Sequence, residues 1–371
     1  MQSETHGISM PKSAWIYPLL ALVFYFLAAS YGFAMPFIPT LGNAVVAVLL
    51  IIVLFGAIFA AVYHAEIIAH VTGEPYGTLV LTAAVTVIEV ALISSIMISD
   101  QSGSPALARD TVFAVVMIVC TGLAGICILG GSLRFREQRY VSTGASAYLA
   151  VLIVLATLTL VLPNYTQAVR GPSYSDKQLV FVAVMTLLLY AAFLYIQTVR
   201  HREYFITLSE DASDDEHHIS GRMVTISVVL LLVALVAVVL LSKKFANVVE
   251  FGRLAIDAPP AVTGLVVAIL VLLPEGISAY QAARRDELQK ALNLALGSSL
   301  ATIGLTFPAV TVLSLTLHKP LVLGLDPGET VLMTLTLVVS LLTLGSGRTN
   351  VLYGFVHLVI FGTFIFMTFW P

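Results

Sequence analysis

From Leu41 to Tyr63 the chain runs without one charged side chain, and apolar runs of this kind recur to its end. Nothing else in the sequence constrains the fold as strongly. A helix needs about 20 apolar residues to cross a hydrocarbon core of about 30 Å. In lipid every backbone N–H and C=O must be bonded within the structure, which leaves helices or a closed barrel. Barrel strands alternate apolar and polar and do not stay apolar for so long. The expected fold is therefore all-α and polytopic. Composition agrees. Of the 371 residues 59% are hydrophobic and 11% charged, against about 25% charged in a soluble domain.

The runs divide into eleven spans: Ala14–Ala34, Leu41–Tyr63, Tyr76–Ile98, Thr111–Gly131, Thr143–Leu162, Gln178–Val199, Met223–Leu241, Pro260–Ala282, Ala291–Leu317, Thr330–Leu344 and Asn350–Trp370. Residues 1–13 read as a polar tail and 14–40 as an extra first helix with its loop. Residues 41–199 hold five spans, 200–222 an acidic loop, and 223–371 five more. No small-residue cleavage site follows the first run, so it reads as a retained span. Five is odd, so the second set enters the membrane upside down relative to the first. That is the arithmetic of inverted-repeat transporters. Eleven Lys and Arg fall on the N-terminal side of the spans and seven on the other. The bias predicts a cytoplasmic N-terminus and an external C-terminus.

Two carboxylates, Glu89 and Glu275, sit in the middle of apolar spans, the third and the eighth. These are the second spans of the two five-span halves. A charge at bilayer depth costs about 2.5–3.5 kcal/mol on insertion scales, and such residues mark ion or proton paths. The alternative is a protonated glutamate bonded to a neighbouring helix. Around the pair lie candidate supporting ligands. Thr86 shares a helical face with Glu89. Pro274 removes a backbone donor, and a helix broken there would offer carbonyl oxygens to a cation. Asn293, Ser298 and Ser299 open the ninth span, where Ser298 and Ser299 equally suit tight helix packing. Two carboxylates with neutral oxygens form a hard-ligand site, suited to Ca2+ and also to Na+. Removal from water disfavours the charged form of a carboxylate, and a like-charged neighbour disfavours it further. The empty pair is then expected to hold protons that an arriving cation displaces, and competition for the same oxygens forces exchange.

Other features carry weaker signals. His64, Glu66 and His70 cluster near the end of the second span, as a gate, a proton path or an interfacial patch. Their spacing is not the His-Glu-x-x-His of a zinc protease. Glu210, Asp211, Asp214, Asp215 and Glu216 make the loop after the sixth span acidic, either solvated chain or a cytoplasmic lure for cations. It lacks EF-hand spacing. Arg348 and Asn350 read as a helix cap or a lipid-phosphate contact. Cys120 and Cys127 are too far apart along one helix for a disulfide. No basic cluster offers a footprint for nucleic acid. No nucleophile–base or metal motif supports an enzyme. A channel lined by the carboxylates would conduct without proton coupling.

At these residues the chain resembles the calcium/cation antiporter superfamily, most closely its calcium/proton branch and the bacterial ChaA-type members. The first repeat reads His64-Ala-Glu66-Ile-Ile-Ala-His70-Val-Thr-Gly73-Glu74-Pro75-Tyr-Gly77, then Thr86-Val-Ile-Glu89. The second reads Pro274-Glu275-Gly276, then Asn293-Leu-Ala-Leu-Gly297-Ser298-Ser299. Gly347-Arg348-Thr349-Asn350 is similar to the signature of the last helix. The resemblance implies that Glu89 and Glu275 are the transport carboxylates, that the inverted repeats form the cation site, and that spans three, four, eight and nine surround it. It implies a bacterial inner-membrane protein with inorganic cations and protons as substrates, the bilayer as its partner and no resident cofactor. Vacuolar-type members carry Gly-Asn before each key glutamate, whereas Val85-Thr86 and Val271-Leu272 stand here. Met117-Ile118 stand where the first repeat would carry Gly-Ser. Ca2+, with Na+ or K+ as the alternative, is the expected cargo.

Overall fold

The computed structural model describes residues 10–30, 40–73, 76–99, 105–206 and 220–371. Among them eleven helices are long and apolar enough to cross a membrane. They are α1 (Lys12–Ser30), α2 (Leu41–Thr72), α3 (Tyr76–Ser99), α4 (Leu107–Phe135), α5 (Ser142–Tyr165), α6 (Asp176–Arg200), α7 (Gly221–Ala255), α8 (Ala261–Ala283), α9 (Leu288–Leu317), α10 (Pro327–Leu344) and α11 (Val351–Phe369). The number agrees with the hydropathy reading, but several ends move. α7 runs on to Ala255 because its last turns are amphipathic helix and not loop. Lys243, Lys244, Glu250 and Arg253 end the apolar run there, and Glu250 and Arg253 pair one turn apart. α4 begins at Leu107, not Thr111, and so takes in Arg109 and Asp110.

Local sequence sets the helix starts. Ser175 and Gln178 form a capping box before α6, and Asp326 and Glu329 form one before α10, with Pro327 in its first turn. Each box satisfies backbone donors that a helix start leaves open. Asn350 caps α11 by accepting from Leu352 N at 3.0 Å and Tyr353 N at 3.4 Å, in line with the capping expectation. Gly73 ends α2 at φ 63°, a region that a Cβ disfavours.

The chain divides into two compact units, and each draws on both halves of the sequence. The first holds residues up to Leu92 and Leu208–Val248, hence α1, α2, most of α3 and most of α7. Here Tyr17 of α1 lies against Gly56 of α2, where any Cβ would collide with the ring. The second holds Ile93–Thr207 and Val249–Pro371, hence α4–α6 and α8–α11.

The second unit carries the mark of a repeat. A two-strand ribbon joins β1 (Glu137–Arg139), between α4 and α5, to β2 (Arg348–Asn350), between α10 and α11. The strands are antiparallel, with Gln138 opposite Thr349. A second seam joins the α9–α10 connection to the last turn of α5 and the α5–α6 connection that follows it. Leu323 N donates to Pro172 O at 2.9 Å and Asn164 Nδ2 to Leu325 O at 2.7 Å. Replacing each helix by the one five places on, cyclically between halves, turns one seam into the other. The helices repeat the pattern. α4 widens to a π-helical stretch at Ile118–Leu123, and α9, its equivalent, does so at Thr302–Thr306; α5 and α6 also widen, at Thr157–Val161 and Ile196–Arg200, without counterparts in α10 and α11. Gly122 in the first faces Phe361 of α11. Gly304 in the second faces Tyr190 of α6, the equivalent of α11. Such π turns recur where helices serve function.

Candidate functional site

Glu89 lies in α3, in the first unit, and is 1% exposed. Apolar neighbours on the same helix, Val85, Ile88 and Leu92, are buried with it. Thr86, one turn earlier, is half-buried. The helix is regular α throughout, so the carboxylate is presented by an ordinary turn.

Glu275 lies in α8, in the second unit, and is half-buried. The sequence predicts a broken helix at Pro274. The structure corrects this: α8 continues as α-helix from Ala261 to Ala283 with Pro274 inside it. A single proline costs one backbone hydrogen bond, and the surrounding turns hold. Irregular backbone lies instead in π stretches of α4, α5, α6 and α9.

α9 packs beside α8. Ser299 is buried and its hydroxyl donates to Leu296 O of its own helix at 2.9 Å. Ser298 is 6% exposed and, among the described residues, its hydroxyl makes no hydrogen bond. A buried polar group without a partner calls for an explanation, and an oxygen held for a ligand supplies one. Asn293 is placed differently. Its Nδ2 donates to Phe205 O at 2.5 Å and its Oδ1 accepts from Gln289 Nε2 at 2.9 Å. Gln289 Oε1 in turn accepts from Val141 N at 2.7 Å. The Asn293 amide thus joins the start of α9 to the segments that flank α5 and follow α6.

His64, Glu66 and His70 do not form a cluster. α2 extends to Thr72, so all three lie within it. At 100° per residue Glu66 and His70 share a face and His64 points elsewhere. Glu66 and His70 are exposed, whereas His64 is fully buried. Its Nε2 lies 2.9 Å from Ala14 O and its Nδ1 3.2 Å from Ser227 Oγ. A carbonyl only accepts, so Nε2 carries the proton and Nδ1 accepts from the serine. His64 clasps α1 and α7 to α2. The acidic residues Glu210, Asp211, Asp214, Asp215 and Glu216 lie outside the described residues.

One charged group escaped the sequence reading. Arg109 and Asp110, placed there in a loop, stand in the first turn of α4. Arg109 Nε donates to Asp110 Oδ1 at 2.8 Å and Nη1 to Gly324 O at 3.2 Å. Asp326 Oδ2 lies 3.8 Å from Nη1. Together with Glu329 these groups line a cavity of about 410 Å³ at one end of the second unit. The adjacent Arg-Asp dipeptide at the edge of an apolar run was the available signal.

Two features repeat between the halves: carboxylates in equivalent helices, and, in the second unit, paired connections with π turns in α4 and α9. The sodium/calcium exchanger protein family matches residues 42–199 and 226–370, the two halves without α1. The chain belongs to this family. A putative ionic transporter, y4hA, of Sinorhizobium fredii is 43% identical over 98% of both chains. The sodium-potassium/proton antiporter ChaA of Escherichia coli is 36% identical over 96% of both. Among solved structures the Ca2+/H+ antiporter protein YfkE superposes with a TM-score of 0.71 at 17% identity. The match covers 96% of this chain and 99% of that one. Membership makes the chain an integral membrane transporter of cations and not an enzyme, and the fold is that of the family.

Proposed function

We propose that the chain exchanges a cytoplasmic cation, Ca2+ first, for external protons by alternating access, with Glu89 and Glu275 carrying cation and protons in turn. One observation carries the reading. Each five-helix half places a single carboxylate within its second helix, and Glu89 is sealed from water there. Holding a bare negative charge in such a place is costly, so each carboxylate is expected to be occupied, by a proton or by a cation. Ser298 adds a neutral oxygen whose hydrogen-bonding capacity is unspent among the described residues. Thr86 and the carbonyl freed by Pro274 are further oxygens on the two glutamate-bearing helices. The N-terminus lies in the cytoplasm on the Lys and Arg bias.

A second reading keeps the mechanism and changes the cargo to Na+ or K+. The printed activity of the Escherichia coli relative favours it, as does Val85-Thr86 where an amide ligand would serve Ca2+. Fewer charged or amide oxygens suit a monovalent ion better than a divalent one.

The test is transport by the purified protein in liposomes with an imposed pH gradient and a trapped pH dye. Ca2+, Na+ and K+ are added singly. Collapse of the gradient by Ca2+ at the lowest concentration supports the first reading. Collapse by Na+ or K+ alone moves the cargo to the second. A gradient indifferent to all three rules out proton-coupled antiport of these ions.

A further inference from the structure

Along the second unit, between α4, α8 and α11, runs a groove of about 730 Å³. Its walls are apolar, with Leu123 and Ile126 from α4 and Ile269, Leu273 and Ile277 from α8. Ile126, Ile269 and Ile277 stay exposed, as a surface facing lipid would. One end is different. There the groove meets three cations: Arg134 at the end of α4, and Arg284 and Arg285 just beyond α8.

These cations are placed and not merely present. Arg134 Nη1 donates to Arg284 O at 3.1 Å, and its guanidinium lies 5.3 Å from the Phe135 ring centroid. Among the described residues none of the three arginines has a carboxylate within ion-pair distance. The acids that follow Arg285 are engaged elsewhere. Asp286 accepts from Gln138 Nε2 at 2.9 Å, and Glu287 stands 3.9 Å from Lys290. Positive charge is therefore left facing the mouth of an apolar channel. From Ile269 to Arg284 the helix rises roughly 22 Å at 1.5 Å per residue. That exceeds the depth of one leaflet, about half of 30 Å.

We propose that this groove binds an anionic phospholipid, with the phosphate on Arg134, Arg284 and Arg285 and an acyl chain along α8. Planar guanidinium groups recognise phosphate oxygens in bidentate fashion. Basic pockets between membrane helices select acidic head groups in the same way. A zwitterionic lipid brings its own ammonium and gains less from three arginines. Gly276, beside Glu275, also lines the groove, so the bound chain packs along the helix that carries the proposed transport carboxylate.

The experiment is native mass spectrometry of the purified full-length protein, after equilibration with mixed micelles of phosphatidylglycerol and phosphatidylcholine. We expect one phosphatidylglycerol retained at least tenfold over phosphatidylcholine. The double variant Arg284→Gln/Arg285→Gln should lose that preference. Arg200→Gln/Arg202→Gln, which removes as much charge outside the groove, should keep it. Ile126→Trp, which fills the groove and leaves the arginines, should also lower retention. Glycerol 3-phosphate, a head group without a chain, should not displace the lipid. The proposal is overturned if both arginine pairs behave alike, if the two lipids are retained equally, or if glycerol 3-phosphate competes.

Discussion

Ser298 and Ser299 are neighbours on α9, yet only Ser299 donates its hydroxyl to its own helix, at 2.9 Å to Leu296 O, while Ser298, also buried, keeps its hydroxyl unbonded among the described residues. On the proposed function the difference makes Ser299 a packing residue and Ser298 a candidate ligand. Ser298→Ala should raise the half-saturating cation concentration about tenfold, near 1.4 kcal/mol. Ser299→Ala should change it by less than about threefold, because a hydroxyl that bonds back to its helix contributes little. The measurement is cation-dependent collapse of a pH gradient for both variants. Equal effects would remove Ser298 from the site.

Gly304 is fixed by contact and not by φ. A Cβ there would lie 2.5 Å from Tyr190 Cγ. Gly304→Ala should lower stability by roughly 1–3 kcal/mol through overpacking, read as a drop in thermal midpoint in detergent. Tyr190→Ala in the same chain should recover part of the loss. A neutral Gly304→Ala would mean that α6 and α9 do not meet as described.

His64 offers a choice between clasp and gate. Its bonds to Ala14 O and Ser227 Oγ make it a clasp. His64→Ala should cost about 1–3 kcal/mol of stability through the unmet groups it leaves, with the pH profile of transport unchanged. A displaced pH profile at normal stability would restore the gate.

Arg109 and Asp110 test a buried charge pair. Removing one partner of such a pair typically costs 3–5 kcal/mol, about as much as many folded domains can lose, whereas removing both is far milder. Arg109→Leu should therefore express poorly or unfold early, and Arg109→Leu/Asp110→Leu should recover. Fluorescence-detected size exclusion and thermal midpoints report both. If the double variant is as damaged as the single, the pair serves more than its own neutrality.

How much of this was legible in the sequence follows from what each feature has to contrast with. The spans were legible because lipid demands unbroken apolar runs, and Glu89 and Glu275 because each interrupts one. Arg109 and Asp110 were hidden because hydropathy ends a span at its first charges, although a paired Arg and Asp can enter the helix together. The length of α7 was hidden for the same reason. The separation of His64 from His70 was available from helical periodicity, since six residues turn the chain 240°. The π stretches and the β1–β2 ribbon were not legible. Three-residue strands and one-turn widenings arise from packing against distant segments and leave no period of their own.

The most direct test of Glu89 and Glu275 as the proposed transport carboxylates is proton flux in everted membrane vesicles carrying Glu89→Gln or Glu275→Gln. Glutamine keeps the size of each side chain and removes its titration. We expect cation addition to collapse the pH gradient with the unaltered protein and to leave it intact with either variant at equal expression. Cation-driven collapse by both variants would contradict the assignment and make the two carboxylates structural.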